Sequence, residues 1–178
     1  MKSLKLVWVF ALYLATLAQV ARAGDVNVNV DKVKEVVGQN FQEIMAEGVP
    51  FAEEKILANE HVAFAVMILV DGRIKKVNFK ESSQAPVAAT VGLLQRSLYA
   101  LAKKNEIGAS GIFYTAPDPK DASKMILVTE LEHIYGVAVL RATGYTQEGN
   151  KLVFGSPIDV NKDFKVFHYT DPADKGKH

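Results

Sequence analysis

The chain has 178 residues, 21 of them basic and 20 acidic, for a formal net charge of +1. Charge this balanced, with no large Lys/Arg block, supplies no electrostatic footprint for nucleic acid, which is excluded as an expected partner. There is no cysteine, so thiol catalysis, disulfides, Cys-ligated zinc, iron–sulfur clusters and a lipid-anchored cysteine are excluded as well.

Residues 1–23 read as a secretory signal peptide. Lys2 and Lys5 give a basic start, residues 6–17 are almost wholly apolar, and Ala21-Arg22-Ala23 places small residues three and one before Gly24. A signal anchor over residues 6–20 is the competing reading, but the run falls short of the roughly 20 residues that cross a bilayer and ends in a cleavage-like triplet. The expected mature chain begins at Gly24 and is exported, to a periplasm or to the outside. The absence of any Asn-x-Ser/Thr sequon favours the bacterial periplasm. Cleavage removes Lys2, Lys5 and Arg22 and no acid, leaving 18 basic and 20 acidic residues among the remaining 155. That length suits one domain over residues 24–169, with a polar C-terminal tail at 170–178. The longest apolar run after the signal, residues 62–70, is strand-sized, so no membrane span is expected after cleavage.

In chain order, the alternating stretch 24–29 suits a short edge strand. The first helix is expected over residues 31–47, with Asp31 as N-cap and Val33, Val37, Phe41 and Ile44 at helical spacing, stopped by Gly48 and Pro50. A short helical turn over 51–58 follows, with Glu53 and Glu54 near its positive end. Residues 62–70 are apolar at both parities, as in a central strand covered on both faces. Asp71-Gly72 then signals a hairpin, and the polar return strand over 73–80 belongs nearer an edge.

Ser82, Ser83 and Pro86 open the long helix, whose stripe is Val87, Val91, Leu94, Leu98 and Leu101, with Gln95, Arg96 and Lys103 facing away. Four strands are expected over 107–115, 124–132, 135–145 and 151–154. The hairpin-like links at 117–121 and 147–150 make them mostly antiparallel. Residues 163–168 suit a last edge strand. The fold class is therefore α+β, a central and mostly antiparallel sheet of about 5–7 strands with an N-terminal helix and a long helix packed on it.

The run "strand, Asp71-Gly72, strand, long helix, strands" over residues 31–143 is similar to the roadblock and profilin-like group. The resemblance implies one central sheet with helices on its faces, and activity by self-association or by binding partners and small ligands. The strands after Gly144 depart from the roadblock pattern, where a helix would stand. A cone-shaped NTF2-like fold also fits the element order and implies a ligand cavity between sheet and helices.

Candidates for chemistry are few. Glu130 and Glu132 share one face of a strand, while His133 points oppositely or lies in the turn before Gly136. The pair can bind a hard cation or do acid–base work, with His133 joining only if the strand bends; the plainer reading is a solvated strand end. His61 and His168 read as polar boundary residues. Ser110, in Gly108-Ala109-Ser110-Gly111, lacks the spacing of a nucleophile elbow, and the small residues suit close packing between the long helix and the next strand. Residues 159–163 lack the glycine and distal glutamate of a calcium loop and read as a turn. No phosphate loop, dinucleotide fingerprint or HExxH helix is present, so no cofactor or metal is expected. Phe113, Tyr114, Tyr135 and Tyr145, with Phe154, are candidates for a pocket or partner surface, with core packing as the plainer alternative.

The sequence supports a non-enzymatic ligand- or protein-binding or assembly module of the cell envelope. Its partner would be an unknown protein, a small apolar ligand or a second copy in a homodimer. The alternative is a small hydrolase or isomerase using Glu130, Glu132 or His133.

Overall fold

The computed structural model describes residues 29–79 and 85–168. The expected signal segment, residues 24–28, Ser82, Ser83 and the tail 170–178 lie outside them. The first helix, α1 (Val30–Leu57), is capped two residues earlier than expected: Asn29, not Asp31, is the N-cap, its side chain accepting the Lys32 N–H at 3.1 Å. It also ends later, running through both expected stop signals. The reason is tertiary. Val37, Phe41, Ile44, Gly48, Ala52 and Lys55 form one continuous buried stripe, and Pro50 sits inside the helix on its exposed side. Gly48 is a contact residue and not a cap, since a Cβ there would stand 2.1 Å from the Phe113 ring.

Strand β1 (Ala63–Leu69) is buried on both faces, as its unbroken apolar run predicts, and pairs with a strand on either side. The Asp71-Gly72 turn forms with Gly72 at φ +83°, where a side chain is disfavoured, and with Asp71 Oδ1 accepting the Arg73 N–H at 3.1 Å. The return strand β2 (Ile74–Asn78) is largely exposed and ends the sheet. Helix α2 (Val87–Lys103) follows Pro86, whose carbonyl accepts the Ala89 and Thr90 N–H groups at 2.9 and 3.2 Å.

The antiparallel run then comprises β3 (Ile107–Asp118), β4 (Asp121–His133), β5 (Val137–Glu148), β6 (Lys151–Phe154) and β7 (Ile158–Asn161). The sheet order is β2-β1-β3-β4-β5-β6, and β7 shares with β6 the outer edge of β5. Residues 139–142 of β5 pair with β7 and residues 145–148 with β6. Asp159, expected in a turn, lies in β7 directly opposite Arg141, and the two form a bidentate ion pair with both contacts at 2.7 Å. The edge strand expected over 163–168 does not form. That segment gives its N–H groups to a side chain instead of a ladder.

The fold is thus α+β, with a seven-stranded antiparallel sheet carrying one helix on each face. Against α1 lie Phe64, Val66, Phe113, Leu127, Leu131 and Val139. Against α2 lie Ala65, Met67 and Ile112, together with Val166 and Phe167 from the C-terminal segment. Of the small residues at 108–111, Ala109 and Gly111 face α1, whereas Ser110 lies on the face of the long helix, opposite Glu132. A Cβ on Gly111 would meet Ile44 Cγ2 at 2.5 Å, so its absence seats α1 on β3.

Candidate functional site

Alternation along β4 sends residues 130 and 132 toward α2 and residues 129, 131 and 133 toward α1. The expected solvated strand end is absent: Glu130, Glu132 and His133 are all buried, Glu132 and His133 to 2% and 1% exposure. Two ionised carboxylates can occupy such a place only if donors surround them.

Glu132 meets four. Its Oε1 accepts the Lys165 N–H at 2.8 Å and the Lys162 ammonium, and its Oε2 accepts the N–H groups of Val166 and Phe167 at 2.8 and 3.0 Å. Three successive backbone N–H groups curled onto one carboxylate make a nest, an anion site built from main chain. Glu130 meets three donors: Tyr114 Oη at 3.2 Å, Gln95 Nε2 at 3.1 Å and Lys162 Nζ at 3.3 Å. Lys162 is therefore the shared cation of both carboxylates. Gln95, expected to face away from the sheet, turns toward it because Glu130 needs a donor from α2. Burial, with the negative charge of Glu130 to which it donates, pushes the Tyr114 phenol far above its ordinary range and keeps it a donor.

His133 belongs to a separate group on the α1 face. Its Nδ1 accepts the Tyr135 N–H at 3.0 Å, and Asn40 Nδ2 lies 3.1 Å from its Nε2. A neutral ring that accepts at Nδ1 holds its proton on Nε2, so the Asn40 carboxamide, whose two ends exchange by a half-turn, meets it with oxygen. Phe41 touches the ring edge-on at 6.1 Å between centroids, and burial pulls its pKa down from 6.5 to about 4. The ring is neutral at neutral pH. Adjacent in the chain, His133 and Glu132 stand on opposite faces of the sheet, so the three candidate acid–base groups do not converge.

The aromatic candidates also divide. Phe113 is a core residue stacked on Phe64 at 5.0 Å, and Tyr145 packs at the far end of the same face, edge-on to Phe154. Tyr114 is on the α2 face, and Tyr135 is exposed in the turn after β4, tilted against His133 at 4.9 Å. They line no common surface. Ser110 is buried and directly opposite Glu132 in register, with His133 across the sheet from both. His61 keeps Nε2 buried without a hydrogen-bond partner, and His168 is exposed with its ring edge-on to Tyr99 at 5.2 Å.

Sequence reasoning missed Lys162, Gln95, Asn40 and the nest. Lys162 falls within the run 159–163 that reads as a turn, and no spacing rule joins it to residues 30 and 32 positions earlier. Among the described residues no group of three or more His, Asp or Glu side chains is placed to hold a metal ion, and no helix is long and apolar enough to cross a membrane. No protein-family model, curated protein or solved structure matches the chain. Its likeness to roadblock, profilin-like and NTF2-like domains therefore rests on element order alone.

Proposed function

We propose that the chain is an exported, non-enzymatic binding or assembly module of the cell envelope. The observation that carries this reading is the engagement of its candidate catalytic groups. Glu132 holds the C-terminal segment, Glu130 joins α2 and β3 to Lys162, and His133 is buried on the opposite face. A general acid or base must reach a substrate proton, and these groups are spent on internal donors. Association is favoured by the edge strand β7, whose Ile158 and Val160 are 56% and 48% exposed on the face that also bears Leu140 and Ala142. A second copy and a small apolar ligand are the two occupants proposed for such a module.

Native mass spectrometry of the protein purified from an exporting host tests the reading. A dimer, or a monomer carrying a retained mass, is expected. A hydrolase or isomerase activity that Glu130→Gln removes while the melting temperature holds would replace it.

A further inference from the structure

The outer face of α2 carries cations and apolar side chains and no acid. At the helical period Arg96 and Lys103 lie in line with Ala89 and Ala100, with Leu93 on one flank and Tyr99 on the other, opposite the buried stripe of Val91, Leu94 and Leu98. Leu93 and Tyr99 are 46% and 37% exposed. Lys104 extends the row at the C-cap, and no Asp or Glu occurs between Glu81 and Glu106. None of the ion pairs among the described residues engages Arg96, Lys103 or Lys104.

A merely solvated helix face in a chain of balanced charge mixes both signs. Here the positive charges have no ion-pair partner among the described residues, are held on a helix whose other side is fixed in the core, and are bracketed by an aliphatic and an aromatic side chain. Cations that meet lipid phosphates, with a tyrosine and a leucine at headgroup depth, are the elements of an interfacial helix. We infer that this face of α2 docks on an anionic phospholipid surface, with the helix axis parallel to the bilayer. The inference takes its place of action from the envelope reading above, and its chemistry from α2 alone.

The test is co-sedimentation of the protein, purified from an exporting host, with vesicles of phosphatidylglycerol or of phosphatidylcholine at low salt. Binding to the anionic vesicles is expected to be at least about tenfold tighter and to weaken as salt rises. In the triple variant Arg96→Gln, Lys103→Gln, Lys104→Gln it should fall by about tenfold to a hundredfold with the circular dichroism spectrum unchanged. Any segment outside α2 that favours lipid is common to both proteins, so the difference isolates this face. Equal binding to the two lipids, a triple variant that binds like the parent, or capture by immobilised polyglutamate without vesicle binding each overturns the inference. Failure on vesicles alongside a dimer or retained ligand in the native mass spectrum removes the lipid partner and leaves the module reading standing.

Discussion

Glu132 Oε2 accepts the backbone N–H of Phe167 at 3.0 Å, so a carboxylate in the middle of the sheet fixes main chain 35 residues further on. The segment it fixes carries Val166 and Phe167 into the α2 side of the core. The polar contact sets where the apolar residues land, and the apolar residues keep water from the polar contact.

Glu132→Gln replaces an acceptor-only group by one whose NH2 end opposes the donors. Breaking a buried charge network by one partner costs about 3–5 kcal/mol. We expect a loss of that order in urea denaturation. Hydrogen exchange at residues 165–167 should quicken before that of β1, and an unchanged exchange pattern would show that the nest is not what holds the segment.

Tyr114→Phe removes one of the three donors to Glu130 and leaves Gln95 and Lys162 in place. A hydrogen bond to a charged group contributes about 1.5–3 kcal/mol. Denaturant titration should register a loss in that range, with the far-ultraviolet spectrum retained.

Two glycines of α1 should respond with opposite sign to the same substitution. Nothing lies within 4 Å of a Cβ on Gly38, so Gly38→Ala should stabilise by about 0.5–1 kcal/mol through helix propensity. Gly48→Ala drives its methyl into the Phe113 ring, which Phe64 backs by stacking, and should destabilise by about 1–3 kcal/mol. Thermal melts of the two variants decide the point, and equal shifts would mean that α1 does not press on β3 as described.

Stability should fall on acidification in a window set by His133. The folded ring ionises near 4 and the unfolded one near 6.5, so between those pH values the unfolded chain binds the extra proton. The contribution is complete above 6.5 and is lost as pH drops to about 4, amounting to about 3 kcal/mol at most. Urea titrations at several pH values should give a steeper acid-side slope for the parent than for His133→Gln, and parallel slopes would contradict a buried neutral ring.

Much of the fold was legible because its signals are local. The two-sided burial of β1, the Asp71-Gly72 turn, the long helix at 87–103 and the hairpins around residues 119–120 and 149–150 follow from periodicity and turn chemistry. The errors came where a tertiary contact outweighed a local preference. Gly48 and Pro50 look like a helix stop until Phe113 beneath them gives the glycine another purpose. Residues 163–168 look like a strand until Glu132 claims their N–H groups. The face shared by Glu130 and Glu132 was readable from strand alternation, but their burial was not. It depends on Lys162, whose distance along the chain leaves no periodic trace.

The position of Lys162 and the nest also bears on the order in which the molecule can be completed. A chain ending at Asn161 contains every strand and both helices of the described residues, yet Glu132 would lack all four donors and Glu130 its cation. The centre of the sheet therefore waits for the last part of the described chain to be made. Synthesis from the N-terminus delivers those residues only after all the hairpins, so a nascent chain still short of Phe167 carries an unfinished core.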